Sequence, residues 1–156
     1  MDPIIDALLA WIGENSAYDV AGLPRPAVVL LAPGDLTREY YAAAPQLLPE
    51  DGVDDRLLAL YSAEDGPDGT LYLLAPRHVP DAGRWDDPTD NPLFREIVLH
   101  ELVHHVQWQT GAAETWPCPQ FGEQEAYTLG GIYLRQVHAA DPIPNRGFWA
   151  RTYSIC

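Results

Sequence analysis

The sequence has no lysine, and its one methionine is the first residue. All nine basic residues are arginines, set against 23 acids, for a formal net charge of −14. No basic stripe is present to neutralise phosphates, which argues against a nucleic-acid partner. Long apolar runs are also missing. None approaches the roughly 20 residues that cross a bilayer, so no membrane-bound role is expected. Residues 1–19 lack a basic n-region and a small-residue cleavage site, so no signal peptide is read there. A cytoplasmic protein is the expectation, or a periplasmic or secreted one if the chain has been trimmed. Only two cysteines occur, Cys118 and Cys156. Free thiols are expected without a secretion signal; the alternative is a disulfide that ties down the tail. Repeats and low-complexity tracts are absent.

A length of 156 residues with 47% hydrophobic content suits one soluble domain with a real core. The acids are spread over polar loops such as "PEDGVDDR", "SAEDGPDG" and "GRWDDPTD", where they keep the protein solvated. Asp2 and Pro3 open an amphipathic helix whose Ile5, Leu8, Leu9 and Ile12 share one face. "PAVVLLAP" (26–33) reads as a buried strand, and "GDLTREYYAAA" (34–44) as a short helix capped by Asp35. Two apolar runs flank a Gly/Pro/Asp turn in residues 55–76, the signature of a hairpin. The longest helix runs from Pro92 to Thr110, with Asn91 as its cap and Gly111 as its stop. A last helix spans Glu123 to Ala139, and the aromatic tail is irregular. This order predicts a single α+β domain over residues 1–156, with a helix-and-sheet part in 1–90 and a helical part in 91–156. A small antiparallel or mixed sheet packs on the long helix.

That helix is apolar almost all round, yet it contains "VLHELVHHVQ" (98–107). Ionisable side chains are costly in such a setting unless they are paired or bind a metal. His100 and His104 are one turn apart and lie on one face. Glu101 is beside them. This is the H-E-x-x-H arrangement, in which two histidines grip Zn²⁺ and the glutamate acts as general base. The plainer reading has core histidines bonded to carbonyls and Glu101 reaching solvent. A catalytic zinc takes three protein ligands. The extended H-E-x-x-H-x-x-G-x-x-H pattern fails, since positions 107 and 110 are Gln and Thr. Acids on the next helix, Glu123 and Glu125, are the remaining candidates. Cys118 is a further, less direct one.

H-E-L-V-H followed by E-x-x-A resembles the gluzincin branch of zincin metallopeptidases. It is most similar to the single-domain minigluzincins and to uncharacterised bacterial zincin-like domain proteins with a "VHELVHH…C…E-x-E-A-Y" core. These motifs cover Val98 to Tyr127. The resemblance implies a zincin-like α+β fold and one Zn²⁺ held by His100, His104 and Glu123, with Glu125 as the alternative third ligand. Ala126 takes the place of the small residue that lets the two helices approach. Gluzincins often have Asp or Asn where this chain has Tyr127, which could instead orient a ligand histidine or simply fill the core. The implied activity is that of a zinc-dependent peptidase-like hydrolase on peptide or protein substrates, with Glu101 as general base. The alternative is a zincin-fold binding or regulatory module with structural zinc and little or no peptidase activity. His105, His138, Tyr127 and Tyr153 are candidate transition-state donors, with His105 pointing away from the metal toward a loop carboxylate and His138 suited to a helix end. The resemblance also implies an edge strand at "TLYLLA" (70–75) that receives substrate by strand addition. Trp108 is a candidate pocket wall.

Overall fold

A computed structural model describes all 156 residues. Helix α1 spans Asp2–Asn15 and buries Ile5, Leu8, Leu9 and Ile12, the four residues of its apolar face. Met1 occupies the cap position, and Asp2 lies inside the first turn. Strand β1 (Ala27–Leu31) and helix α2 (Pro33–Tyr40) follow. The cap of α2 is Ala32, and Asp35 falls within the first turn. Strands β2 (Ala59–Ser62) and β3 (Thr70–Leu74) form the expected antiparallel hairpin.

β1 pairs in parallel with the other side of β3, so the sheet is mixed, in the order β1-β3-β2. This corrects two expectations. β1 is an edge strand rather than a buried one: Val29 and Leu30 are exposed. β3, which contains most of "TLYLLA", is the central strand, paired on both sides. It has no free edge to offer an extended peptide; β2 has one. The central place of β3 agrees with the near-complete burial of Leu71, Leu73 and Leu74.

Helix α3 (Pro92–Gln109) is the axis of the fold. The Asn91 side chain accepts a hydrogen bond from the Leu93 amide, Pro92 takes the first helical position, and Gly111 ends the helix with φ of 75°. This φ is the left-handed region, where a glycine has no Cβ to strain. α1, β2, β3 and α4 (Glu123–Gln136) all pack against α3. Val98, Leu99, Leu102, Val103 and Val106 are fully buried from several directions. No helix is long and apolar enough to cross a membrane.

The tail is not irregular. Residues Arg146–Tyr153 form a fifth helix, α5, docked on α4. Its aromatic residues hid a short amphipathic pattern that runs over only two turns. Cys118 and Cys156 are joined, with Cα atoms 5.8 Å apart. The bond ties the end of the chain to the loop just before α4. It closes a loop across a sequence separation of 38 residues, for which chain entropy alone gives a stabilisation of about 4 kcal/mol. The double variant Cys118→Ser/Cys156→Ser should lose about 3–4 kcal/mol of unfolding free energy in a urea titration. Dithiothreitol should bring the wild type to the same midpoint and leave the variant unchanged. Equal midpoints for all samples would show that the clamp adds nothing.

Candidate metal centre

Three side chains from two helices meet at one point. His100 and His104 project from the same face of α3, their Nε2 atoms 3.3 Å apart. Glu123, the first residue of α4, brings Oε2 to 3.2 Å from His100 Nε2 and Oε1 to 3.4 Å from His104 Nε2. Tetrahedral ligands at zinc–nitrogen and zinc–oxygen distances stand about 3.3–3.4 Å from one another. The three donors thus already have the spacing of three corners of such a tetrahedron. His100, His104 and Glu123 form a possible metal-binding triad, with ligand atoms all within 4.8 Å of one another. The set of two imidazoles and one carboxylate is also chemically suited to a borderline divalent cation.

The electrostatics follow from burial. Burial works against the charged form of Glu123, but hydrogen bonds and charge from His100 and His104 outweigh it and hold the carboxyl well below its usual range. Burial likewise opposes the His104 imidazolium, yet Glu123 and Glu101 raise it. Glu101 is buried beside the pair, and desolvation pushes its carboxyl up against the opposing pull of His100 and His104.

Glu101, His100 and Glu123 open onto a cavity of about 330 Å³. Leu57, Leu58 and Ala59 form one wall, next to the free-edged strand β2. Ile97, Tyr127, Ile143 and Arg146 form another. Tyr127 sets its ring edge-on against His100, with centroids 4.9 Å apart. Its contact with His100 is therefore ring to ring. Its hydroxyl is pushed up to about 12, by burial first and then by the Glu123 charge.

The other sequence candidates lie elsewhere. Glu125 faces away from the triad and accepts hydrogen bonds from Tyr18 Oη and Gln107 Nε2. Cys118 is committed to the disulfide. Tyr153 reaches the site only through Tyr127, at 5.5 Å between ring centroids. His138 lies beyond the end of α4 and lines a separate cavity. His105 does point away from the triad, but its partner is the Pro24 carbonyl at 2.8 Å rather than a carboxylate. Trp108 is exposed and lines neither the triad's cavity nor the one behind it.

Two further groups support the site. Gln107 is fully buried and hydrogen-bonds His104; its place one turn after His104, on the same face, was the available signal. Arg146 reaches from α5 to Glu96 Oε1 at 2.7 Å and bonds both oxygens of Asp141 at 2.8 and 2.9 Å. Glu96 is one turn before His100, and a Cβ at Gly130 would run into its carboxylate. Nothing in the sequence links residues so far apart.

The chain matches the family described as a domain of unknown function (DUF6647) over residues 1–142, and it belongs to that family. No curated protein and no solved structure matches it.

Glu96 and Arg146 are both buried, and removing Arg146 leaves Glu96 without its ion-pair partner, whereas removing Glu96 leaves Arg146 paired with Asp141. Arg146→Met should cost about 3–5 kcal/mol, and the double variant with Glu96→Gln should cost less than the sum of the two single changes. Additive losses in a denaturant cycle would mean the pair is not coupled. Burial would raise the Asp141 carboxyl, but Arg146 outweighs it and holds the group below 3.8. A depressed folded value stabilises above the ordinary one. The Asp141 contribution is therefore full at neutral pH and is lost as pH falls through 3.8 toward the folded value. Asp141→Asn should flatten that acid limb.

Proposed function

We propose that this DUF6647 member is a zinc-dependent peptidase-like hydrolase of the gluzincin type, with His100, His104 and Glu123 as ligands and Glu101 as general base. The observation that supports this reading best is the spacing of the three donor atoms, 3.2, 3.3 and 3.4 Å. A bound zinc would supply Lewis acidity, lowering the pKa of a water and polarising a substrate carbonyl. The remaining work falls to the protein's own side chains. Glu101 takes a proton from the attacking water on a carboxylate oxygen and returns it to the leaving amine nitrogen. Its burial fits this role, because a carboxyl raised above its ordinary range is a better proton acceptor and can later donate. Tyr127 lines the same cavity, and its hydroxyl, which stays protonated, donates to the developing oxyanion. Arg146 is held by two carboxylates and is not free to do so. An extended peptide adds to the free edge of β2, beside the wall formed by Leu57, Leu58 and Ala59.

The competing reading is a binding module with structural zinc. Structural zinc sites are closed by four protein ligands. This cluster has three and adjoins a cavity with a buried acid in it. The disulfide favours an oxidising compartment for the working protein.

Wild-type protein should hold one equivalent of zinc by elemental analysis. His100→Ala or His104→Ala should abolish it, and one retained equivalent in either variant would place the metal elsewhere. Glu101→Gln should keep zinc and fold while losing hydrolysis in a peptide-library assay. Cleavage at the wild-type rate by that variant would overturn the mechanism. Tyr127→Phe should lower kcat by about 10²-fold with KM little changed; an unaltered kcat would remove Tyr127 from the chemistry.

A further inference from the structure

We propose that Gln107 is a positioning residue for the metal centre, fixing the tautomer of His104 and, through the Gly122 carbonyl, the start of the helix that presents Glu123. The proposal rests on the reading of His100, His104 and Glu123 as metal ligands, and deepens it.

The Gln107 side chain is fully buried, and both ends of its amide are bonded. On one side Nε2 reaches two acceptors, the Gly122 carbonyl at 3.2 Å and Glu125 Oε2 at 3.0 Å. A carbonyl and a carboxylate can only accept, so the NH₂ group has to face them. The amide oxygen then has to face the other way, toward His104 Nδ1 at 2.9 Å. An oxygen there can only accept, so the histidine nitrogen it meets has to be N–H. The neutral His104 ring therefore carries its proton on Nδ1 and its free lone pair on Nε2. That is the nitrogen 3.3 Å from His100 Nε2 and 3.4 Å from Glu123 Oε1. The ring is set in its ligating tautomer by a neighbour outside the triad, a role that carboxylates and backbone carbonyls often fill for metal-binding histidines.

The network continues away from the site. Glu125 Oε2 also accepts from Tyr18 Oη at 2.6 Å. Burial raises the Tyr18 phenol first, and its hydrogen bond to Glu125 raises it further, so it remains a donor. The chain of contacts His104–Gln107–Glu125–Tyr18 thus joins α3, α4 and the segment after α1. Space for it is tight. A Cβ at Gly122 would stand 2.7 Å from Gln107 Oε1 and 2.6 Å from the Trp116 ring. Gly122 directly precedes Glu123, so one amide bonds both a ligand ring and the residue beside another ligand. His100 has no such bonded neighbour; the Tyr127 ring braces it by packing. The two histidines are thus oriented by different means, and Gln107 serves only one of them.

The test uses the full chain loaded with zinc. A competition titration against a chromophoric chelator gives zinc affinity for wild type and for Gln107→Met, which keeps the length of the side chain and removes its hydrogen bonds. The expected result is a loss of about 10- to 100-fold. Nitrogen-correlated NMR of the histidine rings supplies a readout that a general loss of packing would not give. In wild type, His104 should show a protonated Nδ1 whose hydrogen is protected from solvent exchange, with Nε2 bound to the metal. In Gln107→Met that protection should disappear while the protonated Nε2 of His105 persists. An affinity within twofold of wild type in a folded Gln107→Met would overturn the proposal. So would a wild-type spectrum in which His104 Nδ1 exchanges freely or is itself the metal-bound nitrogen, and this measurement needs no variant to fold. Wild-type protein that binds no zinc at all would instead sink the underlying metal reading, a distinct failure.

Discussion

Glu123 carries a carboxylate from one helix into contact with two imidazoles on another, and most of the fold serves to keep it there. Taking a charge out of water costs several kcal/mol per ion unless it is compensated. His100, His104, Glu101 and Glu123 are all substantially removed from water, so none is stable there alone. The compensation is mutual: the carboxylate favours a protonated His104, and the two imidazoles depress the carboxyl. A divalent cation would replace the shared protons with a better-matched charge. The same arithmetic explains why the helices must lie close. A carboxylate withdrawn by about one ångström from 3.2 and 3.4 Å would lose hydrogen-bond contact with both imidazoles.

Close approach depends on small residues where α4 crosses α3 and meets α5. Ala126 is fully buried three residues after Glu123. Gly130, a turn further, leaves room for the Glu96–Arg146 pair. That pair ties α5 to α3 across α4, while the disulfide ties the end of the chain to the loop that delivers Glu123. The segment leading into Glu123 is thus held at two points, at Gly122 by Gln107 and at Cys118 by the disulfide. The triad and its Gln107 support lie within the family-matched residues 1–142, and α5 lies outside them.

Where chemistry is local, the sequence disclosed it. Asn91, Pro92 and Gly111 marked the ends of α3 because capping depends on residues adjacent in the chain. The histidine spacing announced a shared face for the same reason, and the four buried residues of α1 followed from its period. Sheet order was not legible. The runs "VVLL" and "LYLL" are equally apolar, and which one takes the centre depends on a crossover with no local signature. The disulfide is not legible in the sequence, because the lack of a secretion signal argues for free thiols while the proximity of Cys118 and Cys156 is a property of the fold. Position 107 excludes the longer zinc motif, and its helical place also sets Gln107 on the histidine face.

The choice between Glu123 and Glu125 shows how helix geometry can decide what spacing leaves open. Each residue advances an α-helix by about 100°, so side chains two apart point about 200° apart. If one faces α3 at the triad, the other has to face away. Glu123 does the first, and Glu125 turns toward Tyr18 and the cavity behind the helix. The two acids are therefore not rivals for one position. Gln107 reaches both sides of that division, touching His104 with its oxygen and Glu125 with its nitrogen. A member of the triad and a residue outside it, two apart on α4, are thus held in one frame. Within that frame, a rotation of α4 that withdrew Glu123 from the histidines would also pull Glu125 from Tyr18. The register of the helix is set twice, once by charge at the triad and once by neutral donors behind it.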